Sequence, residues 1–197
     1  MTNRPSTPPD YFEALYSADA DPWDFATSSY ERQKYQATLQ ALPQDRYGRA
    51  LEIGCSIGVL TDLLAPRVDA LLALDVDQKT LERAAARNAH HGHVRFERRV
   101  VPADWPKDSF DLIVLSEVLY FLSPDDVVET AVRACTDLAP GGCIALVNWT
   151  GPTNYPCGGD QAAELFVATA PHLQHRHRRE AEYRLDVLTK PGTAPLG

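Results

Sequence analysis

The 197-residue sequence has no apolar run that approaches the roughly 20 residues needed to cross a bilayer, and its first residues lack the apolar core of a secretory signal. Positive charge is also in short supply, because 19 lysines and arginines face 27 acidic residues and leave a formal net charge of −8. These absences predict a cytoplasmic protein and disfavour nucleic acid or an anionic membrane as its main partner. We therefore expect the partner to be a small molecule.

Cysteine is scarce as well, with four residues at positions 55, 135, 143 and 157 and no C-x-x-C pair. This spacing predicts buried free thiols and neither a disulfide framework nor a structural zinc site. Histidines cluster twice, in the ranges 90–93 and 172–177, but each cluster falls in a polar connector or strand. The sequence therefore predicts no metal site.

Composition predicts how the chain is divided. An apolar content of 44% over this length predicts one domain with a full core, placed at residues 10–190. Two helices over residues 10–42 precede a core over residues 49–190 and are predicted to form a lid. Residues 1–9, rich in proline, serine and threonine, are predicted to be a disordered tail, and residues 191–197 a flexible end.

The most informative stretch is Ala50–Gly58, ALEIGCSIG, where a short apolar run meets glycines at Gly54 and Gly58. It predicts a buried strand that ends in a tight turn and opens a helix. Glycine in such a turn lets a ligand lie directly against the backbone. A dinucleotide site would need G-x-G-x-x-G, but Ser56 stands at the second glycine and no third follows, so pyrophosphate binding is disfavoured.

A second predicted strand, Ala70–Leu74, is continuously apolar and ends at Asp75. An acid at this point, about 20 residues beyond the glycine turn, can accept the ribose hydroxyls of a nucleoside. The alternative role for Asp75 is a helix N-cap, but Asp77 is better placed to cap the helix predicted over Gln78–His90.

Another buried strand, Phe110–Ser116, ends at Glu117, on the edge where open α/β sheets bind ligands. A buried carboxylate there needs a cation, a donor or water. Tyr120, three residues on, would point to the same side. The alternative is that Glu117 only starts a helix and is satisfied by the helix dipole.

The glycine turn resembles motif I of the class I S-adenosylmethionine-dependent methyltransferases, with Glu52 as its acid and Ser56 in place of its middle glycine. Ser109–Leu122 resembles motif IV of that family, and Ala139–Gly142 resembles the turn before its fifth strand. The resemblance implies an α/β, Rossmann-like sheet of seven mostly parallel strands with helices on both faces. It also implies two N-terminal lid helices and an antiparallel C-terminal hairpin, expected over His172–Glu182 and Tyr183–Lys190.

The same resemblance implies S-adenosyl-L-methionine as the cofactor and S-adenosyl-L-homocysteine as the product. After the third strand, expected over Val94–Val101, the family often has Gly-Asp where this chain has Arg98-Arg99. Adenine would then meet the Val100 amide and the Arg99 side chain, unless the alignment slips toward Asp104. The expected cofactor-binding residues are Glu52, Gly54, Cys55, Ser56, Gly58, Asp75, Val76, Arg99, Val100 and Ser116, with Trp23 and Lys34 from the lid.

Over Tyr11–Lys190, the segments DPWDF, SSYERQKY and GGDQAAELF make the chain most similar to the NodS-like group, which methylates a free amine on a de-N-acetylated chitooligosaccharide. Ala163 replaces a histidine of that group's pattern. The resemblance implies N-methylation of a small-molecule amine, such as an amino sugar, by in-line transfer. Glu117 and Tyr120 are the catalytic candidates, and the expected acceptor contacts are Tyr30, Glu117, Tyr120, Trp149 and Tyr155.

Several alternatives stay open. Glu117 could hold the incoming ammonium or take its proton, and it could instead deprotonate a hydroxyl in an O- or carboxyl-methyltransferase. An inactive binding module of the same fold, or a small NAD-dependent oxidoreductase, would belong to another class. The chain is expected to be a monomer or a homodimer.

Overall fold

The computed structural model describes residues 4–192. Within this range the strands are β1 (Tyr47–Ile53), β2 (Val68–Asp75), β3 (Val94–Arg98), β4 (Phe110–Ser116), β5 (Leu138–Trp149), β6 (Gln174–Arg179) and β7 (Tyr183–Thr189). The helices are α1 (Pro9–Ala18), α2 (Ser29–Ala41), α3 (Val59–Leu64), α4 (Gln78–Arg87), α5 (Pro124–Asp137) and α6 (Gly159–Thr169), with short 3-10 turns at Ala65–Arg67 and Leu119–Phe121. In this part of the chain, no helix is both long and apolar enough to span a membrane.

The strands form one sheet in the order β3-β2-β1-β4-β5-β7-β6. The first five strands are parallel, while β7 runs antiparallel to both β5 and β6. The predicted seven-stranded sheet with a C-terminal hairpin is therefore confirmed. Chain order reverses between β1 and β4, and in such sheets the ligand crevice opens at the carboxyl ends of these two strands.

Helices cover both faces of the sheet, as predicted, and bury an apolar cluster on each. On one face, side chains of α5 and α6 such as Val127 and Phe166 pack on the central strands. On the other face, Tyr35 of α2 and Leu60 of α3 do so. The central strands are apolar along their whole length because both of their faces are covered.

The largest differences between predicted and observed boundaries are at three elements. The helix α4 ends at Arg87 rather than His90, because the Asn88 side chain donates to the carbonyls of Ala84 (2.9 Å) and Gly58 (3.0 Å). The strand β3 ends at Arg98 rather than Val101, since a turn follows. The first hairpin strand spans Gln174–Arg179 rather than His172–Glu182, because the hairpin closes where Glu180 donates to the Tyr183 carbonyl (2.9 Å).

The chain before α1 differs from the predicted disordered tail over residues 4–8. The Thr7 amide donates to the Phe121 carbonyl (2.7 Å), and the Ser6 hydroxyl accepts from the Ser123 amide (2.7 Å) and meets the Asp126 carboxylate. Short polar side chains therefore tie this segment to the start of α5. Residues 1–3 and 193–197, also predicted to be flexible, lie outside the described residues.

Candidate active site

A cavity of about 400 Å³ lies at the carboxyl ends of β1, β2 and β4, beneath α1, α2 and the segment that precedes them. This volume is within the usual range of small-molecule sites, roughly 300–1,000 Å³. Two sets of residues divide its wall. We call the first the loop half (Gly54, Ser56, Asp75, Val76, Arg99, Val100, with Tyr16 and Trp23 above) and the second the triad half (Tyr30, Glu31, Lys34, Glu117, Tyr120, Trp149, Tyr155).

The glycine loop has an unusual backbone. Gly54, Ser56 and Gly58 have φ values of +77°, +48° and +78°, a region that L side chains rarely adopt. A Cβ on Gly54 would lie 2.2 Å from a Val118 methyl carbon, so only glycine fits there. The amides of Gly54 and Cys55 both donate to the Leu74 carbonyl, at 2.8 and 2.9 Å, and thereby hold the loop against the end of β2.

Ser56 occupies the position where the motif has its middle glycine, and the structure gives its hydroxyl a partner. The Ser56 hydroxyl lies 2.6 Å from the Tyr16 hydroxyl of α1. Burial, and then the charge of Asp75, raise the pKa of Tyr16 well above its ordinary range, so the phenol stays neutral. The serine therefore links the loop to the lid, and Trp23 packs edge-on against the Tyr16 ring at 5.7 Å.

Asp75 stands at the end of β2 and borders the cavity. Its carboxylate accepts backbone N–H bonds from Ser56 (2.9 Å), Val76 (2.7 Å) and Asp77 (3.1 Å). Burial raises the pKa of Asp75, although these amides act in the opposite direction. A carboxylate has about four lone-pair sites, so roughly one remains for a ligand hydroxyl. The predicted helix cap is also found, since Asp77 accepts from the Thr80 amide at 2.7 Å.

Three of the predicted cofactor residues do not border this cavity. Glu52 is 1% exposed and accepts a bond from the Thr61 hydroxyl (2.6 Å), and burial raises the pKa of Glu52 to about 7. Cys55 is buried behind the loop. Gly58 starts α3, and a Cβ there would lie 2.6 Å from the Asn88 amide nitrogen. Glycine at this position thus serves the packing of α3 against α4.

The predicted adenine contacts lie at the far end of the loop half. The Arg99 side chain borders the cavity but is already bound to Glu97 (2.8 Å) and Asp104 (3.1 Å). The bond to Glu97 is the main reason why the pKa of Arg99 rises. Val100 is 40% exposed and offers an apolar surface to the cavity. Val76 and Ser116 also line the wall, as predicted, whereas Asp104 does not.

The triad half contains three buried charges. Lys34 of α2 donates to Glu31 Oε1 (2.8 Å) and to Glu117 Oε1 (2.6 Å), and its side chain is 3% exposed. The other oxygen of Glu117, Oε2, accepts from the Trp149 backbone amide (2.8 Å). Burial lowers the pKa of Lys34, but the two carboxylates outweigh burial and the pKa ends above its ordinary value. Lys34 was expected at the cofactor; the structure places it on Glu117.

Aromatic rings complete this half. Tyr120 stacks on Tyr155 with ring centres 5.8 Å apart, and the Tyr155 hydroxyl lies 3.0 Å from that of Tyr11. Burial, and then the charge of Glu117, raise the pKa of Tyr120. Trp149 fits over Gly151, where a Cβ would come within 2.4 Å of the indole ring. Lys34 Nζ lies 5.0 Å from the centre of the Tyr30 ring, at cation–π distance.

Sequence reasoning missed several wall residues, of which Tyr16 and Glu31 are the most informative. The spacing of Ser28 and Glu31 in the sequence predicts a capping box, and the Ser28 hydroxyl does accept from the Glu31 amide (3.3 Å). The Glu31 carboxylate, however, turns to Lys34. The i,i+3 spacing of these two residues was the available signal. The other missed residues are Ser6, Thr7, Pro9, Phe12, Phe25, Ile53, Leu74, Val101, Val118, Phe121, Leu122, Pro152 and Thr153.

Both histidine clusters lie away from this cavity. His90 and His91 meet the Asp62 carboxylate at 3.1 and 2.9 Å, and a second group joins His175, His177 and Asp186. In the second group, His175 and the Arg184 guanidinium both bond to Asp186. His91 and His175 thus form hydrogen bonds to the carboxylates of Asp62 and Asp186, at 2.9 and 2.7 Å.

Known proteins were compared with this chain. The family model of nodulation protein S (NodS) matches residues 12–145. Nodulation protein S of Bradyrhizobium diazoefficiens is 37% identical over 186 residues, which is 88% of each chain. The Rhizobium tropici protein of the same name is 35% identical over 75% of this chain and 63% of its own.

Among solved structures, N-methyltransferase NodS from Bradyrhizobium japonicum WM9 in complex with S-adenosyl-l-homocysteine superposes with a TM-score of 0.81 at 24% identity, covering 92% of this chain and 97% of that one. A putative methyltransferase from Pseudomonas syringae gives 0.72 at 31% identity, covering 83% and 100%.

The sheet order, the glycine loop and the acids at the ends of β2 and β4 define an S-adenosylmethionine-dependent methyltransferase. Within that class, the chain belongs to the nodulation protein S family. The resemblance stated from the sequence is therefore confirmed.

Proposed function

We propose that this enzyme transfers a methyl group to the free amine of a small molecule such as an amino sugar or a deacetylated oligosaccharide. The observation that carries the proposal is the triad half, where two carboxylates and one ammonium group are buried among aromatic rings. Positive charge appears on the acceptor nitrogen as it is methylated, and a negative, ring-lined wall stabilises that charge.

The loop half fits the adenosyl and methionine parts of the cofactor. Asp75 has lone-pair capacity left for a ribose hydroxyl, and Val100 and Val101 give the apolar surface that an adenine ring needs. Gly54 and Ser56 would lie along the methionine part. When bound, S-adenosylmethionine supplies an electrophilic methyl group on a sulfonium. This assignment leaves Glu52, Cys55 and Gly58 as supports of the loop rather than contacts.

In this proposal Glu117 acts as an electrostatic anchor rather than a general base. Both of its oxygens already accept bonds, one from Lys34 and one from the Trp149 amide, so both are engaged before an acceptor arrives. A carboxylate held in this way attracts a cation without taking its proton. The amine proton would leave to water before the amine attacks, and the positive charge that then forms on nitrogen faces Glu117.

The aromatic residues orient the acceptor. Tyr120, Tyr155, Trp149 and Tyr30 line the wall around Glu117, and sugar rings pack well on such faces. Tyr120 is neutral, because burial and the nearby charge of Glu117 hold its pKa high, so its hydroxyl can donate a hydrogen bond. The contribution of these residues is alignment of the nitrogen with the methyl group.

Product mass tests the proposal most directly. Wild-type protein and S-adenosylmethionine are incubated separately with glucosamine, chitosan oligomers, small alcohols and small carboxylic acids. We expect mass gains of one methyl group only with the amines. Methylation of alcohols or acids would establish the alternative, an O- or carboxyl-methyltransferase. Cofactor binding without any product would favour an inactive binding module.

The setting of the enzyme is also part of the proposal. All four cysteines are buried free thiols, which suits a reducing, cytoplasmic compartment. We also propose that residues 10–190 form a single domain, that the protein is a monomer or a homodimer, and that it has no nucleic-acid or membrane partner. Size-exclusion chromatography with light scattering measures the assembly state.

A further inference from the structure

The triad half contains more negative than positive charge. Glu31 and Glu117 each contribute a carboxylate, and Lys34 contributes the only ammonium among the described residues in contact with them. The three side chains are 9%, 12% and 3% exposed, so water screens them little. With all three groups ionised, these side chains carry a net charge of about −1, which is costly at positions so little exposed unless a cation completes the site.

Two polar atoms without partners lie beside this charge. Glu31 Oε2 is buried and makes no well-formed hydrogen bond within residues 4–192, and neither does the Tyr30 hydroxyl. Burial raises the pKa of Glu31. Lys34, and to a smaller extent Tyr35, lower this pKa but only partly offset the effect of burial. Buried polar atoms are normally paired, so a carboxylate oxygen and a hydroxyl left without partners beside one ammonium indicate a missing polar partner.

We propose that Glu31, Lys34 and Glu117 form a recognition site for a cationic acceptor, in which the single excess negative charge selects an ammonium group over a hydroxyl. This inference rests on the proposed function. It adds the residue Glu31 and the requirement for one excess negative charge. Lys34 is a positioning residue, because it holds both carboxylates in place. A primary ammonium has three N–H donors and one positive charge, and so supplies both missing elements.

The proposal predicts that affinity for an amine follows the net charge of Glu31, Lys34 and Glu117. A merely structural role of these residues does not predict this dependence. Glu31→Gln keeps the shape of the side chain but leaves the site neutral, so affinity for a cation falls. Adding Lys34→Gln to that variant restores a net charge of −1 through Glu117 alone, which the Trp149 amide still holds in place, so affinity returns. Arg32→Gln is the matched control, since Arg32 is an exposed residue of the same helix and changes the protein charge by one unit.

The test measures binding of ethanolamine and glucosamine to protein saturated with S-adenosylhomocysteine, with ethylene glycol and glucose as neutral counterparts. We expect the amines to bind at least about tenfold more tightly than the neutral molecules. Glu31→Gln should weaken amine binding about tenfold, the double variant should return to within about threefold of wild type, and Arg32→Gln should have no effect. Circular dichroism and S-adenosylhomocysteine affinity verify that each variant is folded.

Three outcomes would overturn the inference: unchanged amine affinity in folded Glu31→Gln, equal binding of amines and neutral molecules, or no binding of either amine. The mass assay separates this inference from the proposed function. Wild-type methylation of amines together with normal behaviour of Glu31→Gln rejects only the inference. Charge-dependent amine binding without any methylated product supports the recognition site and rejects the proposed reaction.

Discussion

The two halves of the cavity hold their carboxylates in different ways. In the loop half, Asp75 is fixed by three amides that come from its own turn and from the glycine loop. In the triad half, Glu117 is fixed by Lys34, a side chain on a lid helix 83 residues earlier in the chain, and by one amide of β5. Asp75 is therefore held by the sheet and its loops alone, whereas Glu117 keeps both of its partners only while α2 lies on the sheet.

This difference teaches that the two binding tasks have separate supports. Changes in the loop half should alter cofactor affinity, and changes in the triad half should alter turnover and acceptor affinity. The link between them is α1, whose Tyr16 hydroxyl contacts Ser56 of the loop half and whose Tyr11 hydroxyl contacts Tyr155 of the triad half. Three changes test how far this separation holds, and a fourth, Glu52→Gln, tests a buried support of the glycine loop.

The largest effect is expected for Glu117→Gln. The neutral amide no longer stabilises charge on the acceptor nitrogen, so kcat should fall about 10³-fold, within the range of single charged groups in active sites. Affinity for S-adenosylhomocysteine, measured by calorimetry, should stay within about threefold. The control is Glu129→Gln, a half-exposed acid on α5. Equal losses in turnover and cofactor affinity would mean that the halves are not separate.

Glu52→Gln should change the pH dependence of stability. The pKa of Glu52 is about 7 in the fold against an ordinary value of 4.5, so the folded protein binds more protons than the unfolded chain between these values. Stability from this group is therefore present at low pH and is lost as pH rises from about 4.5 to about 7. Glu52→Gln should remove a decline of about 3 kcal/mol.

Urea unfolding at pH 5, 6, 7 and 8 measures this decline in both proteins. Thr61→Val is the control, because it removes the hydroxyl that favours ionised Glu52 and should make the decline larger. Parallel curves for wild type and Glu52→Gln would contradict the assignment.

Asp75→Ala should weaken S-adenosylhomocysteine binding about 50-fold, since it removes a charged acceptor for a ribose hydroxyl and loosens the loop. Calorimetry measures the affinity. Asp77→Ala is the matched control, because it removes the cap of α4 and costs about 1 kcal/mol of stability without touching the cavity. Unchanged affinity in Asp75→Ala would reject the ribose assignment.

The smallest effect is expected for the contact between the lid and the loop. Tyr16→Phe removes the hydrogen bond to Ser56 and should weaken cofactor binding about fivefold, equivalent to one hydrogen bond. Tyr11→Phe, on the same helix, removes the bond to Tyr155 instead and should raise the acceptor KM without changing cofactor affinity. Identical effects of the two variants would show that α1 acts as one rigid support.

The loop half could be predicted from the sequence because its determinants are local. A short segment with glycines, followed about 20 residues later by an acid after an apolar run, is enough to place Ser56 and Asp75. The same reasoning placed Gly58 in the site, although its glycine is required by packing on Asn88. The sequence identifies the glycine but not the neighbour that requires it.

The triad half could be predicted only in part. The end of β4 gave Glu117, but pairing with Lys34 depends on how α2 docks, and no local pattern determines that. Glu31 was assigned to a helix cap because capping and an inward-facing carboxylate share the same sequence spacing. Serine and threonine near the N-terminus predicted disorder from composition, whereas Ser6 finds partners more than 100 residues away.

The segment before α1 has a practical consequence for anyone who shortens or extends the protein. Ser6 and Thr7 line the cavity and form hydrogen bonds with Ser123 and Phe121, respectively. Deleting the residues before Pro9 would remove part of the cavity wall and admit solvent beside the reacting groups. A purification tag is therefore better placed at the carboxyl terminus. A loss of activity after N-terminal trimming would reflect an opened cavity rather than a misfolded sheet.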